Sequence, residues 1–189
     1  MHRDQKNSAI VIGASAGGLH ALTLLLEELP ANYTIPVIIV QHRIKDQRDL
    51  LEEVLQHKCK ITVKQADEKE RISPGIVYIA PPDYHLMIEN DETFALSVDG
   101  RVKFSRPSID VLFESAAETF KEKLIGIILT GANNDGAEGM KTIRKFKGVT
   151  IAQDPLEAEC PVMPRSAIET GAVQLVLTLA EIRNFLLQL

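Results

Sequence analysis

Gly13-Ala-Ser-Ala-Gly-Gly18, set directly behind the apolar run Ser8-Ala-Ile-Val-Ile12, carries the reading of this chain. An apolar run without polar alternation suits a strand covered on both faces. The small residues after it let the backbone turn sharply into a helix over residues 17–29. A serine at such a turn stands proud of the sheet end. The helix behind it aims its first N–H groups and partial positive charge at any oxyanion formed there. Acyl transfer is therefore the leading chemistry, with Ser15 as candidate nucleophile. The same glycines also admit a purely structural turn, or a dinucleotide cradle built from the amides of the helix start. The dinucleotide fingerprint asks for G-x-G-x-x-G and an acidic residue about 20 positions on. Here Ser15 stands in the second glycine's place, the next strand ends in Gln41-His42, and no phosphate-binding lysine follows the glycines.

Working outward, strand-like and helix-like segments alternate almost from end to end. Apolar runs predict buried strands near 8–12, 36–40, 61–64, 76–80, 124–129, 149–152 and 173–177. Leu19, Leu22, Leu26 and Leu29 mark one face of the first helix. Ile109, Leu112, Phe113, Ala116, Ala117 and Phe120 mark a second, with Ser108 at its N-cap, and Ile182, Phe185, Leu186 and Leu189 a closing one. Residues 76–104 break the alternation: 84–89 and 93–98 read as two strands joined by the turn Asn90-Asp-Glu92. The predicted fold is α/β, a doubly wound, mainly parallel sheet with helices on both faces and an antiparallel β-hairpin extension. The predicted organisation is a polar tail over residues 1–7 and a single domain over 8–189.

Composition narrows the function classes. The net charge of −5 offers no basic field for nucleic acid or an anionic membrane. Residues 1–7 lack the apolar core of a signal peptide, and no run reaches transmembrane length. Cys59 and Cys160 stand far apart without metal-type spacing or a disulfide framework. The expectation is a cytoplasmic protein that needs no metal or cofactor and does not enter the membrane.

In an open α/β sheet, ligands sit beyond the carboxyl ends of the strands, near the point where strand order reverses. The first strand delivers Ser15, the second Gln41 and His42, the fifth Thr130-Gly-Ala-Asn-Asn-Asp-Gly136, and the sixth Gln153 and Asp154. A serine, a histidine and an aspartate thus arise at one sheet edge. Acyl transfer needs that set: a base for the Oγ proton and a carboxylate to orient the imidazole. His42 and Asp135 fill these roles. His85 is the rival base, and Asp135 alone also reads as the N-cap of a helix starting at Gly136. His2, His20 and His57 lie in the tail or on helices.

At these residues the chain resembles the catalytic domain of the chemotaxis receptor methylesterases, CheB, also called protein-glutamate methylesterases. The blocks that carry the resemblance run from Gly13-Ala-Ser-Ala-Gly-Gly18 through Gln41-His42, Pro74-Gly-Ile-Val-Tyr-Ile-Ala-Pro81, Arg106-Pro-Ser-Ile-Asp-Val-Leu-Phe113, Leu129-Thr-Gly131, Asn134-Asp-Gly136 and Ile151-Ala-Gln153 to Met163-Pro-Arg165. The resemblance places the family's catalytic serine on Ser15, its histidine on His42 and its aspartate on Asp135. It implies hydrolysis of glutamate methyl esters on the cytoplasmic signalling helices of chemoreceptors, with glutamine deamidation in some members. Amides near Ala16 and at Gly131-Ala132 are expected to hold the oxyanion, Gln41 and Met163 to line the cleft, and Arg106 and Arg165 to contact substrate. Two departures stand out. Ala132-Asn133 replaces the family's usual Met-Gly. The catalytic block also begins within a dozen residues of Met1, where the family usually has a receiver domain first. That leaves a regulator in trans, constant activity or a longer parent chain as alternatives. Other readings are an esterase or amidase acting on a non-chemotaxis protein, and a silent binding module that keeps the groove.

Overall fold

A computed structural model describes residues 9–43 and 50–189. The polar tail over 1–7 lies outside the described residues. Among the described residues, nine strands and six α-helices follow one another as β1 (Ala9–Ala14), α1 (Gly18–Leu26), β2 (Val37–Gln41), α2 (Leu51–Lys58), β3 (Thr62–Gln65), β4 (Ile76–Ile79), β5 (His85–Ile88), β6 (Phe94–Ser97), α3 (Ile109–Phe120), β7 (Leu124–Ile128), α4 (Ala137–Lys145), β8 (Val149–Gln153), α5 (Val162–Glu169), β9 (Leu175–Leu177) and α6 (Leu179–Leu187). Seven of the strands form one parallel sheet in the order β3-β4-β2-β1-β7-β8-β9.

The chain winds outward from β1 in one direction, then returns to β7 on the other side of it. Strand order therefore reverses between β1 and β7, which opens a crevice at their carboxyl ends. Alternation along β1 feeds two apolar layers. Ile10 and Ile12 face Leu22, Leu25, Leu26, Leu55, Ile182 and Leu186 of α1, α2 and α6. Ala9 and Val11 face Leu112, Phe113, Ala116, Met140 and Ile143 of α3 and α4. All six β1 residues are buried, as the unbroken apolar run requires.

The antiparallel hairpin is present, but it stands as a two-stranded sheet of its own. The reason is topological: β4, from which it leaves, already has β3 and β2 on its two edges. The hairpin packs instead on α3, where Ile88 N–H donates to Ser115 Oγ at 3.1 Å. Phe94 meets Tyr78 edge-on, centroids 4.8 Å apart. Helical faces follow the predicted stripes with local exceptions. Leu25 is buried in α1, whereas Leu19, in the first turn, stays exposed beside Ser15. Leu189 lies past the end of α6 and is exposed, and Phe185 is only partly covered.

Gly136 connects fold to site. It adopts φ 95° at the N-cap of α4, where any side chain is strained, and a Cβ there would run into Ile128 and Ile109. Gly136→Ala is expected to lower stability by about 2–3 kcal/mol. It should move the denaturant midpoint while leaving the slope unchanged.

Candidate active site

Ser15 follows β1 directly, and its backbone is tied on three sides. Its N–H donates to Thr130 O at 3.0 Å. Its carbonyl accepts from Gly18 N–H at 2.8 Å and from Gln41 Nε2 at 2.9 Å. Gly17, with φ 79°, makes the left-handed step that starts α1. Thr130 fastens the far side: its hydroxyl donates to Ala16 O and accepts from Cys160 N–H, both at 2.8 Å. The Ser15 side chain is half-buried and lines a cleft with Leu19, His20, Thr23, Val54 and Lys58. Its hydroxyl makes no hydrogen bond among the described residues.

His42 follows β2, which pairs in parallel register with β1. Its N–H continues the ladder to Ala14 O at 2.9 Å. Its ring Nε2 lies 2.8 Å from Asp135 Oδ2. Asp135 is fully buried and accepts three further hydrogen bonds: Ser108 Oγ at 2.9 Å, Ile109 N–H at 2.7 Å and Asp110 N–H at 3.1 Å. Burial alone pushes this carboxyl up. The hydrogen bonds from His42, Ile109 and Asp110 outweigh it and hold Asp135 below the ordinary carboxylate range. The ionised carboxylate can only accept, so Nε2 carries the imidazole proton and Nδ1 is the basic nitrogen.

Asn133 sits against that nitrogen. Its Oδ1 accepts from Asp135 N–H at 3.1 Å, which turns its Nδ2 toward His42 Nδ1 at 3.4 Å. The imidazole is thus bracketed by two residues of one loop. Asn133 has no positive φ, so its replacement of a glycine brings no backbone strain.

Several expectations change. Ser108 occupies the N-cap position of α3, but its hydroxyl serves Asp135 and does not cap its own helix. The cap is Asp135 itself, which takes the first two amides of α3, whereas Gly136 starts α4. His85 is no rival base: it is buried, Nδ1 accepts from Ser108 N–H and Nε2 bonds Gly100 O. The Gly131 amide is already bonded to Cys160 O at 2.9 Å, so it cannot serve an oxyanion. Among the described residues the Ala16 and Ala132 amides have no acceptor. Met163 does not line a cleft. It is buried beneath Gly131, where a Cβ would collide with its side chain.

Gln41 braces the site from within, its Nε2 donating to the carbonyls of both Ser15 and His42 at 2.9 Å. Arg106 lines a second cleft of about 370 Å³ with His42, Arg43, Asp83, Arg101 and Phe104. Its guanidinium is largely committed, however, to Asp83 and to the carbonyls of Val98 and Asp99. Arg165 is exposed on α5 and lines neither cleft. Thr130 and Ser108 are working parts that sequence reasoning missed. Their bonds to Ala16 and Asp135 span the topology, and no local pattern announces them.

The family model for CheB methylesterase matches residues 10–186. The chain belongs to the CheB methylesterase family. A Leptospira interrogans relative, provisionally named for protein-glutamate methylesterase and protein-glutamine glutaminase activities, is 52% identical over 96% of this chain and 94% of its own length. The Thermotoga maritima protein-glutamate methylesterase/protein-glutamine glutaminase is 36% identical over 95% of this chain. A Chromohalobacter salexigens protein of the same name is 42% identical over 92%. The chain spans about half the length of these last two relatives, 53% and 49%. The crystal structure of the Thermotoga maritima CheB methylesterase catalytic domain superposes with a TM-score of 0.92 at 34% identity, covering 97% of this chain and 98% of that one. The family fold thus accounts for the parallel sheet and the separate two-stranded one alike.

Asp135→Asn keeps the shape but gives up the charged acceptor, and is expected to cost about 2 kcal/mol or more at neutral pH. Because the carboxyl's folded pKa is depressed, its contribution is fully present above the unfolded value of about 3.9. It is lost as pH falls through the lower folded value. Melting curves of parent and variant should therefore differ by a constant amount down to that range and converge below it.

Proposed function

We propose that the protein is a serine-dependent protein-glutamate methylesterase that acts in the cytoplasm on the signalling helices of chemoreceptors. The same chemistry would release ammonia from glutamine side chains. The observation that carries this reading is the 2.8 Å His42–Asp135 pair, built from strand ends that flank the Ser15 turn. Relatives named for both activities supply the substrate class.

In the proposed reaction the methyl ester seats against Ser15, and the basic Nδ1 of His42 exchanges Asn133 for the serine hydroxyl. Catalytic hydrogen bonds are often long or poorly aligned without substrate and tighten when it binds. His42 takes the Oγ proton as Oγ adds to the ester carbonyl. Asp135 steadies the imidazolium without itself taking the proton. The amides of Ala16 and Ala132 receive the oxyanion, with the α1 N-terminus behind them. The methoxy group leaves as methanol with the proton from His42. Water, deprotonated by the same nitrogen, then hydrolyses the glutamyl ester on Ser15. The open cleft beside Ser15 and the unstrained Asn133 favour turnover over a silent binding module.

Methanol release from methyl-esterified receptor helices tests it. Ser15→Ala and His42→Ala should each lower the rate by about 10⁴-fold or more, and the double variant by no more than either alone. Methanol release that survives in Ser15→Ala would remove Ser15 as nucleophile. Turnover of other protein esters but not receptor helices would move the substrate outside chemotaxis.

A further inference from the structure

The turn over residues 102–105 has no part in this chemistry, yet it forms one side of the His42 cleft. Val102 and Ser105 exchange backbone hydrogen bonds at 3.1 and 2.8 Å. The two residues between them, Lys103 and Phe104, both have positive φ, 48° and 66°. Turns of this hand favour Asn and Gly, and a lysine followed by a bulky aromatic is strained there. Lys103 anchors the turn: its Nζ lies 2.7 Å from Asp110 Oδ2 and 3.0 Å from Asn134 O, tying it to α3 and to the loop that carries Asp135. Phe104 is 93% exposed. A strained turn held rigidly against the catalytic loop, with a bare aromatic at the cleft rim, does nothing for packing.

The charge around it has a definite sign. Arg43, Arg101 and Arg106 line the cleft against Asp83. Arg43 pairs with Glu52 and Arg106 with Asp83, while exposed Arg101 has no acceptor among the described residues. The protein as a whole carries −5, so this cleft runs against its overall charge.

We propose that Phe104 and Arg101 form a recognition rim for the ester-bearing segment. The occupant is an acidic amphipathic helix that lays an apolar side chain on the Phe104 ring and carboxylates beside Arg101. Aromatic and arginine anchors carry most of the affinity in such helix docking. The inference rests on the methylesterase reading and names the residues that select its substrate.

Phe104→Ala and Arg101→Glu alter exposed side chains, so both variants should melt like the parent. On a methyl-esterified acidic helical peptide, each should raise KM about tenfold with kcat near the parent's value. The Arg101→Glu effect should shrink as salt screens the pair. Hydrolysis of p-nitrophenyl acetate, which has no helix to dock, should be unchanged. An unaltered KM on the peptide, or matched losses on both substrates, would overturn the rim. Fluorescence anisotropy with the same peptide separates this from failure of the methylesterase reading. If the parent releases no methanol, yet Ser15→Ala binds the peptide about tenfold more tightly than Ser15→Ala/Phe104→Ala, the rim stands without the reaction. If methanol release persists and the two bind equally, the reaction stands without the rim.

Discussion

A single buried carboxylate holds this site together. Asp135 receives the His42 imidazole, the Ser108 hydroxyl and the first two amides of α3. An uncompensated charge in that position would be costly, and four donors make it tolerable. They also give it two duties. It fixes the tautomer and direction of the imidazole, and it supplies the N-terminal cap that the neighbouring helix lacks. The hydrogen-bonding surface that holds Asp135 against the His42 imidazole is the one that anchors α3 over the sheet.

The remaining parts of the site depend on how strands β1, β2 and β7 end. Parallel pairing aligns Ala14 with Gln41 and Gly13 with Ile128, so Ser15, His42 and the loop after β7 emerge at one level. Gln41 and Thr130 then brace what the strands have delivered: one side chain spans the Ser15 and His42 carbonyls, and the other ties the Ala16 carbonyl to the Cys160 amide. Both contacts go through backbone atoms. Substitutions of the facing side chains would therefore leave the scaffold largely intact.

Much of this was legible from residues alone, because it depends on local pattern. The unbroken Val/Ile runs predicted buried strands, which β1, β2 and β7 are throughout, whereas β3 and β9, at the sheet's two edges, stand largely exposed; the glycine-flanked Ser15 predicted the strand-to-helix turn. Collecting polar residues from strand ends singled out Ser15, His42 and Asp135, of which His42 and Asp135 meet at 2.8 Å. What escaped was non-local. That Asp135 caps α3 and not its own helix depends on two segments meeting across the sheet. That the Gly131 amide is consumed depends on where Cys160 comes to rest. The separate hairpin follows from β4 having no free edge, a fact of strand order that periodicity does not carry. Leu19 shows the limit on a helical face: its spacing matched the apolar stripe, but in the first turn of α1 it faces the open cleft beside Ser15.

The cap on α3 also has a consequence for how the molecule is made. During synthesis α3 emerges ahead of Asp135, and its leading amides have no protein acceptor until β7 has inserted beside β1 and carried the loop into place. That insertion is a long-range event, of the kind that comes late because much chain must be closed before any contact rewards it. The nascent chain therefore holds Ser15 and His42 well before it holds Asp135 beside the imidazole. The His42–Asp135 pair, the α3 cap and the completed sheet arrive together.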